Sequence, residues 1–265
     1  MLLVQVPSWT PWAVGALLVV SVIYRTVWPF LRRVIRTFQG MRLSSTSTLS
    51  DDQYRKLAIG SLYANQQGGY LNVLTLDIKD KLNTILGEWW GVDSTPAAKT
   101  TLDELCQKGF DYYFPFVYKA FLLEDKTEQD QIFQQNMTSQ EDYDKATGQL
   151  NNLKETYAEL VECGVVSSKE DLARYGVLGW DAGRLNFLAR ACYDAGYISE
   201  AEAWRYIDKA YELAHPHFTS WHDMAMSYVI GRAIWGGTDA YNSGMKSIAD
   251  DLLSKPNSPW VLIKW

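Results

Sequence analysis

The sequence predicts an all-α fold: a compact multi-helix domain preceded by one N-terminal transmembrane helix. Three observations carry that prediction. Apolar residues recur at three- and four-residue spacing in segment after segment, the period of a helix with one buried face. Several of those segments open on a hydroxyl residue followed three positions later by Glu, Gln or Asp, the sequence signature of a helix N-terminus. Finally, Leu2 to Tyr24 contains no charged residue and Ala13 to Ile23 is almost wholly aliphatic, close to the roughly 20 apolar residues that a spanning helix requires.

That first stretch sets the organisation of the chain. Trp9 and Trp12 near one end and Tyr24 and Trp28 near the other suit the interfacial belts of a membrane span, although Gln5, Pro7, Ser8 and Pro11 interrupt its first third. Arg25, Arg32, Arg33, Arg36 and Arg42 follow the apolar run, so the positive-inside rule predicts a single-pass membrane protein with the domain facing the cytoplasm. A secretory signal would carry its positive charge before the apolar run and a small-residue cleavage site after it. Val27 to Phe38 alternates arginines with apolar residues and could instead lie along anionic headgroups. The expected divisions are an anchor over 1–30, a basic juxtamembrane segment and Ser/Thr-rich linker over 31–49, and a helical domain over 50–265.

Within the domain, Ser50 and Gln53 predict a cap for a helix through Tyr54, Leu57 and Leu62 that fades at Gln67-Gly-Gly69. Leu71 to Trp90 reads as a second helix with Leu74, Ile78, Leu82, Ile85, Leu86 and Trp89 on one side. A loop over 91–99 contains Pro96, and Thr101 with Glu104 caps a short third helix ending at Gly109. Tyr112 to Leu123 is rich in aromatic residues; a buried helix broken at Pro115 fits it best, with an exposed aromatic surface for a partner as the other reading. Glu124 to Gln140 is polar enough to be a mobile insertion. Thr138 and Glu141 then restart a long helix that stops at Cys163-Gly164, and Ser167 with Glu170 caps a short turn.

Three well-delimited helices follow. Trp180 to Tyr193 turns Leu185, Leu188, Ala189 and Cys192 inward and ends at Ala195-Gly196, a C-cap signal. Ser199 and Glu202 form a capping box opening a helix that must stop before Pro216. Ser220 and Asp223 open a third, whose inner stripe is Met224, Tyr228, Gly231 and Trp235. Gly236-Gly237 breaks it, Tyr241 to Leu253 makes a last helix, and the tail from Pro256 to Trp265 is too apolar to float free.

The charge of −6 and pI near 5.2 argue against nucleic acid as a partner. Three cysteines at wide spacing suggest neither a disulfide framework nor a zinc knuckle. His215, His217 and His222 match no common metal site, and neither a phosphate-cradling glycine loop nor a nucleophile elbow is present, so no cofactor is expected.

The runs Gly179-Trp-Asp-Ala-Gly-Arg-Leu-Asn-Phe-Leu-Ala-Arg190, Ala195-Gly-Tyr-Ile-Ser-Glu-Ala-Glu-Ala-Trp204, Phe218-Thr-Ser-Trp221 and Ser227-Tyr-Val-Ile-Gly-Arg-Ala-Ile-Trp235 together resemble the bacterial family known as domain of unknown function 1266. Glu88-Trp-Trp-Gly91 followed by Leu102 to Gly109 upstream, and Ser258-Pro-Trp260 with Trp265 at the close, are similar to the same family. The resemblance covers about Ser61 to Trp265. It implies an all-helical domain and no established activity.

The densest set of costly residues lies in this region: Trp180, Asp181, Arg184, Trp204, Trp221, Tyr228, Arg232 and Trp235. Asp181 and Arg184 stand three apart on one helix and can pair, and Arg232 lies on another that packing could bring near. Two readings stay open. The set is either a structural ion-pair network fenced by tryptophans, or a site where two arginines hold a carboxylate or phosphate. The function expected is accordingly that of a membrane-tethered interaction or ligand-binding module with a protein partner, an immunity protein being a special case. The alternative is a hydrolase or toxin-like effector with Asp181 as base.

Overall fold

A helix surrounded by protein on every side must partner each polar group that it carries. Leu178–Asp194 is such a helix: fourteen of its residues, from Gly179 to Cys192, are buried. They include four polar side chains, Asp181, Arg184, Asn186 and Arg190. The rest of the domain is arranged around it. The computed structural model describes residues 40–265, in which Met41–Trp265 forms one compact unit.

In chain order the α-helices among the described residues are α1 Asp51–Ala58, α2 Ser61–Gln67, α3 Lys79–Asn83, α4 Thr95–Gln107, α5 Phe110–Phe121, α6 Lys126–Asn136, α7 Gln140–Glu162, α8 Lys169–Tyr175, α9 Leu178–Asp194, α10 Glu200–Ala214, α11 Trp221–Gly236, α12 Asn242–Ser254 and α13 Pro259–Leu262. No strand occurs among the described residues. The buried helix α9 packs chiefly on α10 and α11 and also touches α2, α4 and α5, while α7 lies across α5 and α11. No helix among the described residues is long and apolar enough to cross a membrane; the anchor expected over 1–30 lies outside them, as does most of the basic segment.

The caps of the central helices follow the sequence. Ser199 and Glu202 close a complete capping box on α10, Ser220 accepts from the Asp223 amide at the start of α11, and Ser50 with Gln53 does the same for α1. The apolar tail also packs back. The Trp260 indole donates to Ala58 O at 2.9 Å, Trp221 to Ile263 O at 2.8 Å and Trp265 to Phe218 O at 2.8 Å, so three tryptophans stitch the last turn to α1 and α11.

Elsewhere the structure corrects the sequence reading. The helix expected over 71–90 is confined to α3 and a π-helical turn, Thr84–Trp89. The segment before it is irregular: the Tyr70 amide bonds to Leu76 O at 3.0 Å within it, but most of its bonded backbone groups reach outside, chiefly to α9. The fully buried Arg190 guanidinium donates to the carbonyls of Tyr70, Val73 and Leu74, at 2.5, 2.9 and 3.0 Å, and the Asp194 carboxylate accepts from the amides of Leu76 and Asp77. The wider π turn shifts the side-chain register, and Trp89, expected on the inner stripe, is exposed.

The loop expected over 91–99 is largely the first turns of α4, capped by Ser94 with Pro96 in its first turn, where the missing proline N–H has no helical acceptor to lose. Helix α5 runs unbroken through Pro115. An interior proline costs about 3 kcal/mol, but burying a large apolar side chain returns roughly 1.5–3 kcal/mol, and Tyr113, Phe114, Val117 and Phe121 are all buried. The polar stretch read as a mobile insertion is α6, held down by Phe133, which is 1% exposed, and by the Gln129 amide donating to Leu123 O at 2.6 Å. Ser139 and Ser168, one residue later than expected, stand at the N-caps of α7 and α8. The hydroxyl-rich segment before Ser50 is more than a spacer: Met41 is buried, Arg42 pairs with Asp77 at 2.6 Å, and Asn72 exchanges hydrogen bonds with the Ser44 backbone.

Candidate binding cleft

Three of the four buried polar residues of α9 hold another segment in place. Asp181, 2% exposed, pairs through Oδ1 with the Arg184 Nη2 one turn on, and its Oδ2 accepts the backbone N–H of Asp111 at 2.9 Å. The carboxylate thereby sits over the first turn of α5, where the exposed amides and the helix dipole favour negative charge. Gly109 just before α5 is what lets it approach, since a β-carbon there would collide with the Asp181 carboxylate. Asn186 donates to Lys56 O at 2.9 Å, near the end of α1. Arg190 holds the 70–75 carbonyls.

Arg184 faces two environments. On one side is Asp181; around it stand the rings of Trp180, Phe110 and Trp90, with centroids 4.8, 4.9 and 5.8 Å from the guanidinium carbon. On the other side it forms part of the wall of a cleft of about 450 Å³ between α4, α5, α7 and the end of α11. Trp90, Phe110 and the exposed Trp235 supply aromatic walls, and Gln149 and Asn152 of α7 supply amides. Arg184 Nε and Gln149 Oε1 are both buried with no hydrogen-bond partner among the described residues.

The other charges on the cleft wall are Lys108, Lys145, Glu104 and Asp144. Both lysines are taken: Lys108 pairs with Asp142 and Lys145 with Glu141, at 2.7 and 2.6 Å. Lys108 and then the Tyr113 hydroxyl, which donates to the same oxygen, hold the buried Asp142 carboxyl well below the ordinary range. Tyr113 is pushed up in turn, first by burial and then by that carboxylate.

The sequence pattern of the protein family of unknown function DUF1266 matches residues 85–265, about two thirds of the chain. The chain belongs to this family. No curated protein and no solved structure matched it. The match takes in every helix that walls the cleft, from α4 to the end of α11.

Of the residues singled out beforehand in this DUF1266 chain, Trp180, Asp181, Arg184, Tyr228, Arg232 and Trp235 are neighbours. Trp180 meets Tyr228 edge-on at 5.0 Å and Trp235 at 5.8 Å, and the Arg232 guanidinium lies 5.9 Å from both tryptophan rings. Arg232 nevertheless does not complete an ion-pair network or a two-arginine clamp. Its Nε donates to Ala240 O at 3.0 Å, and the cleft wall does not include it. Trp235 projects outward, in contrast to the inner stripe expected of it.

Trp221 and Trp204 stand apart from this group. Trp221 begins α11, about 16 Å along the axis from Arg232, and stacks on Trp260 at 5.3 Å within the tail. Trp204 is half-buried on α10 and does not line the cleft. The histidines serve ring packing, His215 stacking on Tyr211 and Trp265. The three cysteines are unpaired thiols raised by burial, Cys192 to about 12, which leaves them unreactive.

The residues missed beforehand are Gly148 and Gln149 on one ordinary helix face, Lys108 just past the end of α4, and Trp90, one half of a Trp-Trp pair. Only Gly148 carries a signal, a glycine midway through a 23-residue helix, where alanine would be about 1 kcal/mol better.

Asp111 has a raised carboxyl, first from burial and then from the neighbouring Asp181 charge. A carboxyl raised on folding weakens the fold above the ordinary carboxylate range, and that penalty disappears as falling pH protonates both states. Asp111→Asn is therefore expected to raise the thermal midpoint at neutral pH by about 2 °C, with the gain shrinking to nothing below about pH 4. Calorimetry of the two proteins across that range checks it; a loss at neutral pH would show instead that the charge is used.

Proposed function

We propose that this DUF1266 protein is a membrane-tethered ligand-binding module: residues 1–30 hold it at a bacterial inner membrane, the helical domain faces the cytoplasm, and the cleft beside Arg184 takes up a small molecule. The observation that carries this reading is a buried, incompletely partnered guanidinium in the wall of an aromatic cleft of roughly ligand size, the arrangement typical of small-molecule sites. Gly148 supports it. A β-carbon added there would meet nothing within 4 Å, so the glycine costs helix stability and leaves the cleft open.

The enzymatic alternative lacks its base. Both oxygens of Asp181 are engaged, and it does not line the cleft. A protein segment as occupant has no such specific support: the unpartnered buried groups of the wall are two single atoms, Arg184 Nε and Gln149 Oε1, which suits a compact ligand.

The test pairs the full chain in detergent micelles with Gly148→Leu, screening both by thermal shift against a panel of small metabolites. The variant is expected to be at least as stable as the parent, by helix propensity, and to lose a ligand-induced rise of about 2 °C or more that the parent shows. A panel without hits, or hits equal in both proteins, overturns the reading. For the tether, alkaline carbonate washing of cell membranes is expected to leave the full chain in the pellet; its release into the wash would remove the anchor from the proposal.

A further inference from the structure

Resting on that cleft reading, we infer that the site selects a neutral planar ring with a carbonyl and an N–H on its edge, a lactam-like heterocycle, over an anion. Two arginines clamping a carboxylate would need net positive charge at the wall. The cleft instead has one arginine, already paired with Asp181, two lysines each paired with a carboxylate, and two further acids, Glu104 and Asp144. Placing an anion there would desolvate it beside carboxylates with no free cation to offset the cost.

Among the buried side-chain atoms of the wall, one donor and one acceptor are without a partner. Arg184 Nε and Gln149 Oε1 are unpartnered, and the two residues are 7% and 5% exposed. A carbonyl accepting from the guanidinium and an N–H donating to the glutamine oxygen would satisfy both, and a buried polar group left unpaired costs enough to reject ligands that lack its partner. The exposed face of Trp235 supplies a stacking surface at the mouth, a geometry that favours flat rings.

The probe is 4-quinazolinone, a neutral bicyclic lactam, with two comparison compounds: its 3-methyl derivative, which lacks the N–H, and indole-3-carboxylate, an anion of similar size. Dissociation constants are measured by tryptophan fluorescence and ligand-observed NMR on the full chain in micelles. The lactam is expected to bind about tenfold more tightly than either comparison compound. Trp235→Ala, at a half-exposed position beside Trp180, is expected to weaken the lactam by about tenfold while lowering the thermal midpoint by only about 2 °C. Gln149→Leu is expected to abolish the preference for the lactam over its methyl derivative.

Tighter binding of indole-3-carboxylate, lost in Gly148→Leu, would overturn this inference and leave the cleft reading standing. Equal binding of the lactam and its methyl derivative would likewise refute the donor–acceptor pairing. Failure of all three compounds to bind would overturn the inference; the metabolite panel decides separately whether the cleft binds anything.

Discussion

Arg190→Leu is expected to destabilise the domain by about 4 kcal/mol. Arg190 is wholly buried and lacks a carboxylate within its shell; its partners are the carbonyls of Tyr70, Val73 and Leu74. Burial pulls the guanidinium down to about 9, with the Asp194 charge opposing, so it stays charged at neutral pH.

Leucine removes the desolvated charge, which is a gain, but leaves the loop carbonyls without donors. Orphaning a buried acceptor costs about 1–3 kcal/mol, and several are orphaned together, so the loss prevails. The irregular segment from Tyr70 to Ile78 has few alternatives because it forms no helix of its own. Arg190→Lys is expected to fall between, since one ammonium cannot span carbonyls that a planar fork reaches at once. Chemical denaturation gives the cost, and hydrogen exchange gives its location: protection at Leu71 and Leu76 should fall first. A loss below 1 kcal/mol would show that the Asp194 contacts suffice.

Asp181→Ala is expected to cost about 3–5 kcal/mol, the range for breaking a buried ion pair from one side. It leaves Arg184 charged in an aromatic enclosure and removes the acceptor at the start of α5. Two further variants separate these contributions. Asp181→Asn keeps an oxygen for the Asp111 amide and loses only the charge, so its deficit measures the ion pair. Asp181→Ala combined with Arg184→Met removes both charges and should recover more than half of the loss, leaving the cost of the cap. If the single and double substitutions were equally damaging, the pair would contribute nothing and α5 alone would account for the effect.

These predictions mark where the sequence was legible. Helix starts were readable at Ser50, Ser199 and Ser220, where a hydroxyl and a residue three positions on complete a local cap, because a cap is closed within four residues; the same device at Ser94 and Ser139 was missed or displaced by one residue. Stops at Gly164 and Gly196, both with positive φ, were legible for the same reason, as was the pairing of Asp181 with Arg184 within one turn. The Leu71 to Trp90 segment misled because its apolar spacing satisfies a helix while its amides and carbonyls are claimed by residues more than 110 positions later. Phe133 misled in the opposite direction: a single buried ring anchors a helix whose average composition is polar.

The sequence by itself determined the all-helical class, most helix limits of the last hundred residues and that Asp181 and Arg184 could pair, all set by local hydrogen bonds or helical periodicity; the family was legible separately, in its long residue runs. The tertiary structure alone decided that Arg190 clamps a distant loop, that Asp181 caps α5, that Arg232 stays off the cleft, and that Trp90, Gln149, Gly148 and Trp235 meet around one opening. The reason is physical: a buried polar group takes whichever partner packing brings within about 3 Å, and that choice depends on how four helices cross rather than on any spacing along one of them.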